Sequence, residues 1–289
     1  MKFWPSPLRY PGGKGRLGQY LAELVELNSI SDGTYVEPYA GGAGAAWFLL
    51  LKGYVGRVKI NDASVSIAAF WRSVFEETDE LLRMVSETEI TVDEHRKQTA
   101  IFRDTENHSI AELGFAAFFL NRTSRSGILN AGPIGGYDQT GNYKIDARYN
   151  KEGLQKRIEA LALYASRVDV SQKDALEFIS QNVVSAIKPE KCLIYCDPPY
   201  FEKGRKLYLD YYENSDHRKL AGRLKKLKRF KWLLSYDDTK FTRKLFDGGE
   251  YRISDLSISH SANLHRRGKE IIVTPKHLNV PEQQNLRVA

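Results

Sequence analysis

The stretch YCDPPY at residues 195–200 places a carboxylate, two prolines and a tyrosine directly after KCLIY, an apolar run that predicts a buried strand. The residue before a proline is pushed to extended backbone, and proline itself has a fixed φ and no N–H. Asp197 and the carbonyl of Pro198 are therefore two fixed hydrogen-bond acceptors with no donor beside them. An NH₂ group has two protons to donate, and the ring of Tyr200 offers a flat face. The pattern predicts a catalytic site for a planar, aromatic amine, formed by Asp197, Pro198, Pro199 and Tyr200, although a structural strand-to-turn exit can also contain two prolines.

A second motif, VEPYAGGAG, follows another predicted strand, GTYVE. Glycines after a strand allow a tight turn and the close approach of a ligand to a helix N-terminus. The spacing is not GxGxxG, and a purely structural turn would use the same residues. Asp62 lies 21 positions after Gly41, at the end of the next predicted strand, where an acid can accept the hydroxyls of a ribose. An N-terminal helix cap is the alternative role for Asp62, and the two roles can coexist.

A third motif, RYPGGKG at residues 9–15, puts two glycines before Lys14. The phosphate-loop pattern GxxxxGK[ST] is absent, because Lys14 is followed by Gly15 and no predicted strand precedes the segment. We therefore exclude a nucleoside triphosphatase. A lysine on a glycine turn beside an aromatic residue can still bind a carboxylate or a phosphate, and an ordinary helix-entry turn is the alternative.

Composition sets the class of protein. The chain has 289 residues, 42% of them hydrophobic, enough for one large α/β domain with a smaller insert. A formal net charge of +7 is compatible with a nucleic-acid partner but does not require one. On one strand Cys192 and Cys196 would lie about 13 Å apart, whereas a disulfide needs less than ~7 Å, so we expect packed thiols and no metal site. No run approaches ~18 apolar residues and no apolar core of signal-peptide length is present, so we expect a cytoplasmic protein without a membrane span.

Strand and helix patterns alternate along most of the chain. Residues 64 to about 120 are mostly helical in pattern and lead into a long polar, glycine-rich stretch that ends near residue 150. Strand–helix alternation on both sides of this middle part predicts a mainly parallel, doubly wound α/β sheet with an insert. The predicted strands are GTYVE, RVKIND, RVDV, KCLIY, KWLLSYDD and a final pair near 251–258 and 269–274.

With these motifs the chain resembles the Dam-type, alpha-group DNA adenine methyltransferases. The segments RYPGGK, VEPYAGGAG, KINDAS, FFLNRTSRSG, YCDPPY and HRRGKEIIV occur in the order of that family, so the resemblance spans nearly the whole chain. It implies a Rossmann-like, S-adenosylmethionine-dependent methyltransferase sheet. It also implies a catalytic domain of residues 1–66 and 166–289, interrupted by a mainly helical DNA target-recognition insert at 67–165.

The resemblance also implies a cofactor site for S-adenosylmethionine. Tyr10 stands where the family often has tryptophan, and Asp62 is expected to bind the ribose. Asp174, after the strand RVDV, is expected near the adenine of the cofactor, with a helix cap as the alternative role. The implied set is Tyr10, Lys14, Glu37, Tyr39, Gly41, Gly44, Asp62, Asp174 and Asp197.

The insert carries most of the implied DNA contacts. Family members that read GATC have tyrosine and asparagine where this chain has Arg125 and Ser126, and an arginine where it has Asn130, so we do not expect a GATC target. Arginine suits guanine edges and asparagine suits adenine, while a solvated basic loop is the alternative reading. The implied set is Arg122, Arg125, Ser126, Asn130, Lys144, Arg148, Arg266 and Arg267.

The implied function is methylation of the exocyclic N6 amine of an adenine flipped out of double-stranded DNA. Methylation of another planar amine, cytosine N4 or adenine in RNA, is the alternative enzyme, and relatives acting on cytosine more often carry Ser before PPY. An inactive DNA-binding module is the alternative from another class, against which the intact Asp62 and Asp197 argue. We also expect a monomer in solution and a cognate restriction enzyme as a partner.

Overall fold

A seven-stranded sheet forms the centre of the computed structural model, which describes residues 6–9, 17–201, 212–257 and 269–281. Its strands are rich in the β-branched and aromatic residues that favour a pleated, buried surface. They are β1 (Thr34–Glu37), β2 (Arg57–Asn61), β3 (Val168–Ser171), β4 (Cys192–Cys196), β5 (Lys231–Asp237), β6 (Tyr251–Ser257) and β7 (Lys269–Pro275). The strand order is β3-β2-β1-β4-β5-β7-β6, in which β7 runs antiparallel to both β5 and β6 and the other neighbours are parallel.

Helices connect the strands and form the middle of the chain. Several begin at a strong start signal: Ser64, Thr91 and Ser109 each accept a hydrogen bond from the backbone N–H three residues on. Within the described ranges the helices are α1 (Gly18–Leu27), α2 (Gly44–Leu51), α3 (Val65–Glu76), α4 (Thr78–Glu87), α5 (Val92–Arg103), α6 (Ile110–Thr123), α7 (Lys151–Ala162), α8 (Ala175–Phe178), α9 (Asn214–Lys226) and α10 (Lys240–Leu245).

Both faces of the sheet are buried. Alternate residues of β4 enter two different hydrophobic clusters: Leu193 and Tyr195 belong to one, and Cys192, Ile194 and Cys196 belong to the other. Successive side chains of a strand point to opposite faces, so each cluster covers one face. This is the doubly wound arrangement that the strand–helix alternation predicts.

The direction of chain winding reverses between β1 and β4. From β1 the chain moves to β2 and β3 on one side, and from β4 it moves to β5 on the other. In doubly wound sheets ligands bind in the crevice at the carboxyl ends of the strands where the order reverses. The parallel register pairs Val36 with Ile194, so Glu37 and Asp197 follow at the same end of adjacent strands.

The predicted fold class is confirmed, and the predicted strands correspond to β1–β7. One aspect differs from a simple parallel sheet: the last two strands form an antiparallel pair at one edge. Cys192 and Cys196 are buried free thiols, as expected. The described helices include none with both the length and the apolar character needed to span a membrane.

Two helices in the middle of the chain, α3 and α6, cross at close range. Gly114 of α6 lies against α3, where an added Cβ would come within 2.5 Å of the Ser73 hydroxyl and 2.9 Å of the Ala69 carbonyl oxygen. Ser73 Oγ also donates to the carbonyl of Ile110 across the crossing. Only glycine at position 114 allows this approach of two backbones.

We expect Gly114→Ala to destabilise the protein by about 1–3 kcal/mol, because the methyl group must displace backbone rather than a flexible side-chain end. Gly222→Ala in α9 is the matched control, because its added Cβ meets nothing within 4 Å. The control should stabilise by about 0.5–1 kcal/mol through helix propensity. Urea unfolding of both variants checks this, and equal effects at the two positions would contradict the tight crossing.

Candidate active site

Three acidic side chains end three neighbouring strands. Glu37 ends β1, Asp62 follows β2 and Asp197 follows β4. Asp62 Oδ2 accepts the backbone N–H of Gly41 at 2.8 Å, and its Oδ1 accepts the N–H of Ser64 at 3.0 Å. The carboxylate therefore fixes the glycine turn against the start of α3. The N-cap of α3 is Ser64, two residues after Asp62, so Asp62 does not have the capping role that was its alternative.

Two side chains fix the glycine turn by donating hydrogen bonds to its carbonyl groups. Trp71 Nε1 donates to the carbonyl of Gly41 at 2.8 Å, and Ser6 Oγ donates to the carbonyl of Gly42 at 2.6 Å. Gly41 has φ +45° and Ala43 has φ +44°, a left-handed conformation that glycine adopts at little cost. Gly44 is then the first residue of α2, so the turn leads into a helix N-terminus.

Glu37 is a buried carboxyl group whose hydrogen-bonding capacity is only partly used by the described residues. It is 4% exposed, and its Oε2 has no hydrogen-bond partner among the described residues. Burial, and then the charge of Asp197, raise the pKa of Glu37 well above its usual range. Such a group is suited to a cation, because a positive ligand would offset both the burial and the repulsion from Asp197.

The carboxylate of Asp197 is oriented by a short hydrogen-bond relay. Ser235 Oγ of β5 donates to Asp197 Oδ1 at 2.6 Å, and the Tyr195 hydroxyl lies 3.0 Å from Ser235 Oγ. Since the single hydroxyl hydrogen of Ser235 points at Asp197, Tyr195 must donate to Ser235. Burial keeps the pKa of Tyr195 raised, so this donor retains its proton.

The residues after Asp197 are fixed to β5 and β7. The Tyr200 hydroxyl donates to Glu270 Oε1 at 2.7 Å, and the N–H of Phe201 donates to Asp237 Oδ1 at 3.1 Å. Burial, and then the charge of Asp197, raise the pKa of Tyr200. Phe201 stacks on Phe241, with ring centroids 4.4 Å apart. The tyrosine ring is thus held at its polar end, while Pro198 is buried beneath the loop.

A group of packed tyrosine side chains and one histidine connects the glycine motif to the sheet. Tyr39 pairs through its hydroxyl with Tyr212 at 2.8 Å, and Tyr212 packs edge-on against His217. His217 is fully buried, and its Nδ1 lies 2.6 Å from the Tyr236 hydroxyl. Tyr39 of the glycine motif is therefore tied to β5 through side chains that the motif itself does not contain.

A comparison with protein families agrees with this geometry. The family model of the D12 class N6 adenine-specific DNA methyltransferases matches residues 10–259. This chain belongs to that family. It is also 24% identical over 262 residues to the type II methyltransferase M.MjaIII of Methanocaldococcus jannaschii, covering 83% of this chain and 87% of that protein. The predicted family is confirmed, and with it DNA adenine methylation as the family activity.

In this D12 class chain a hairpin follows α6. Ser124 pairs with Pro133 in an isolated bridge, and the N–H of Arg125 donates to the carbonyl of Gly132 at 3.0 Å. Ser126 has φ +58°, unusual for a residue with a side chain, and it turns the chain between Arg125 and the hairpin tip. Arg125, Ser126 and Asn130 therefore share one exposed loop, which is compatible both with the predicted DNA contact and with its alternative, a solvated basic loop.

Asn121 attaches this hairpin to the N-terminal segment, and sequence reasoning did not single it out. Its side chain accepts the N–H of Arg9 at 2.6 Å and donates to the carbonyl of Arg9 at 2.6 Å, as a neighbouring strand would. It also donates to the carbonyl of Gly127 at 3.1 Å. Asn121 is fully buried, so all these bonds replace water.

Other predicted site residues have different surroundings. Arg122 is buried and donates through Nε to the carbonyl of Pro7 at 2.8 Å, so its exposure is too small for it to read a base edge. Lys144 Nζ donates to carbonyls of its own loop, those of Gln139 and Gly141. Asp174 is exposed and caps α8, the alternative role for this residue. Outside the described residues lie Tyr10, Lys14, Arg266 and Arg267.

The described ranges contain no cluster of three or more His, Cys, Asp or Glu side chains placed to hold a metal ion.

Ser235, Glu270 and Asp237 are further site residues that sequence reasoning missed. Ser235 and Asp237 lie among the last three residues of β5, whereas Glu270 is the second residue of β7, so no shared position along a strand identifies them in the sequence.

We expect Glu37→Gln to stabilise the cofactor-free protein, increasingly so as pH rises. The raised folded pKa means that the unfolded chain loses the proton first, above about pH 4.3, so wild-type stability falls with rising pH by up to about 1.4 kcal/mol per unit. Glutamine cannot ionise, so this loss disappears. Urea unfolding at pH 4.5 and 7.5 measures the difference.

Glu26→Gln, at an exposed position of α1, is the matched control and should have nearly the same small effect at both pH values. If the gain of Glu37→Gln is equally independent of pH, Glu37 is ionised in the free protein, contrary to our assignment.

Proposed function

We propose that this chain transfers a methyl group from S-adenosylmethionine to the exocyclic N6 amine of an adenine flipped out of double-stranded DNA. The observation that carries the proposal is the meeting of Glu37 and Asp197 at the reversal between β1 and β4. One side chain is suited to a cationic ligand and the other to an amine. The family supports adenine over cytosine as the base.

The strand-end residues fit S-adenosylmethionine. The buried Oε2 of Glu37 has no partner among the described residues and suits an ammonium group, and the carboxylate of Asp62, which accepts the N–H groups of Gly41 and Ser64, can also accept ribose hydroxyls. When bound, the cofactor supplies a methyl group on positively charged sulfur. We propose that the remaining cofactor contacts come from Tyr10, Lys14, Tyr39, Gly41, Gly44 and Asp174.

Asp197 and Pro198 hold the target amine in this proposal. The lone pair of an adenine amine is delocalised into the ring, which makes the nitrogen a poor nucleophile. Hydrogen bonds from both amine protons to the Asp197 carboxylate and the Pro198 carbonyl orient the nitrogen and favour a tetrahedral geometry. As positive charge grows on the nitrogen, the fixed charge of Asp197 stabilises it. No covalent enzyme intermediate is needed, and burial raises the pKa of the Cys196 thiol, which disfavours a thiolate nucleophile.

Tyr200 would stack on the flipped base. Its hydroxyl bond to Glu270 fixes the ring, so the stacking face is present before the base arrives. Flipping is required because the amine cannot be reached inside a duplex. Pro199 keeps the backbone between Pro198 and Tyr200 rigid.

We propose that residues 67–165 form the target-recognition insert and that residues 1–66 and 166–289 form the catalytic domain. The first boundary falls within α3, whose residues pack on both parts. Arg125, Ser126 and Asn130 are proposed to read bases, and Arg148, Arg266 and Arg267 to contact phosphates. The relative named as a type II methyltransferase supports a role beside a restriction enzyme.

Labelled methyl transfer to duplex DNA, followed by nucleoside analysis, tests the function. Label in N6-methyldeoxyadenosine supports the proposal, and label in N4-methyldeoxycytidine points to a cytosine enzyme. Transfer only to RNA, offered as a parallel substrate, points to an RNA enzyme, and no transfer to either substrate points to an inactive module. We expect Asp197→Asn to lower single-turnover transfer by roughly 10²-fold or more, because the fixed charge is lost and an NH₂ group faces the target NH₂.

DNA binding by Asp197→Asn should change much less, since phosphate contacts elsewhere dominate affinity. Gel-shift affinity on the same preparation is the control. A variant that transfers methyl groups at nearly the wild-type rate would remove Asp197 from the mechanism.

We expect Asp62→Ala to weaken binding of S-adenosylmethionine at least tenfold, about 1.4 kcal/mol, because it loses the ribose contact and releases the N–H of Gly41. Asp247→Ala, at an exposed position after α10, is the matched control. Isothermal calorimetry measures both, and unchanged affinity in Asp62→Ala would place the ribose elsewhere.

A further inference from the structure

Four arginines meet on one side of the insert, remote in sequence from the acidic strand ends. Arg122, Arg148 and Arg157 line a cavity of about 100 Å³ together with Asn150, Gly153 and Leu154. No acidic side chain is among these lining residues. The charge of Arg9 acts on Arg122, and that of Arg148 acts on Arg9, so Arg9 belongs to the same group.

Few of the N–H donors of these four arginines have hydrogen-bond acceptors among the described residues. Arg122 is 7% exposed, and only its Nε has a partner among the described residues, the carbonyl of Pro7. Nη1 of Arg9 is buried without a partner in the same part of the chain. Arg157 gives one long bond, 3.3 Å, to the carbonyl of Ser6. A guanidinium has five N–H donors, so several donors of the group remain for a ligand.

The electrostatics of the cavity favour an anion. Burial first, and then the charges of Arg157 and Arg9, lower the pKa of Arg122 to about 9. A buried guanidinium beside like charges, with no acidic side chain among the residues that line the cavity, is costly, and one anion between the arginines would offset both the burial and the repulsion.

The start of α7 faces the same cavity and adds to its positive potential. Asn150 caps this twelve-residue helix by accepting the N–H of Gly153, and both residues line the cavity. The acid of this first turn, Glu152, is 2.5 Å from Lys156 and is thus paired away from the arginines.

We propose that this cavity is a binding site for a single phosphate group, and that its occupant is one backbone phosphate of the substrate DNA. The volume is well above the ~10–15 Å³ that one water requires, so a tetrahedral oxyanion fits. Arginine forks match phosphate oxygens in geometry and charge. The second half of the proposal rests on DNA being the substrate.

The position of the site explains what such a contact does. Arg122 lies in the last turn of α6, directly before the hairpin that carries Arg125. A phosphate held there fixes the register of the duplex relative to that hairpin without reading any base. The site is therefore a positioning contact, distinct from the base-reading loop.

The test uses Arg148→Gln and Arg157→Gln, because these residues are less buried than Arg122 and the variants should fold. Arg103→Gln, at an exposed position of α5, is the matched control. We expect the slope of log affinity against log salt concentration to fall by about 0.9 in each cavity variant and to be unchanged in the control. Unaltered slopes in both cavity variants would overturn the DNA contact.

A scan with neutral methylphosphonate linkages identifies the phosphate. At one backbone position the replacement should weaken wild-type binding and leave Arg157→Gln unaffected, because the partner is already lost. If every replacement weakens wild type and variant equally, the cavity does not hold a DNA phosphate.

Inorganic phosphate distinguishes a free-anion site from a DNA site. Millimolar phosphate should raise the melting temperature of the wild type more than that of Arg157→Gln at matched ionic strength. A larger rise in the wild type together with an unaltered salt dependence of DNA affinity in the variants would support an anion site but overturn DNA as its occupant. An equal rise in the melting temperatures of wild type and Arg157→Gln would overturn the anion site. Methyl transfer by the wild type is scored separately, so a failed cavity and a failed enzymatic function give different results.

Discussion

The parallel pairing of β1 with β4 is the constraint on which the rest of the site depends. It brings a buried Glu37 and the carboxylate of Asp197 to the ends of adjacent strands, where each raises the cost of ionising the other. A fold does not retain such a pair for stability, since replacement by apolar side chains would be cheaper. In the proposed reaction, a cationic cofactor and an amine that becomes cationic as it reacts would both offset this repulsion.

The second organising feature is the short segment at residues 6–9. It touches the glycine turn through Ser6, and it touches the insert through the two-sided bond between Asn121 and the backbone of Arg9. An amide side chain that satisfies both backbone groups of one residue behaves like an added strand, and its burial makes a broken bond costly. The glycine turn and the hairpin after α6 are therefore joined by consecutive residues of one chain segment, which gives the two proposed binding sites a short physical connection.

Sequence patterns predicted the strands and the acidic residues at their ends, because a buried strand followed by a polar residue is a local signal. GTYVE, RVKIND and KCLIY gave β1, β2 and β4, and Glu37, Asp62 and Asp197 followed from them. Patterns could not predict the roles of Ser235, Glu270 or Asn121, because each role depends on a hydrogen bond to a residue distant in sequence. Ser235 bonds to Asp197, Glu270 to Tyr200 and Asn121 to the backbone of Arg9. Arg122 shows a second limit, since the sequence of a basic segment does not reveal that this arginine is buried against Pro7 and too little exposed to read a base edge.

Charge is separated across the described part of the molecule in a way that serves transfer to an amine. The charges that act on Glu37 are acidic, those of Asp197 and Asp62, whereas those that lower the pKa of Arg122 are the arginines 157, 9 and 148. Placing the arginines at the insert leaves them free to bind phosphates, where strong, sequence-independent attraction is an advantage. In the proposed function the polyanion that the arginines bind also delivers its base to the acidic strand ends, so opposite charges at separate places would attract the DNA and support the reaction.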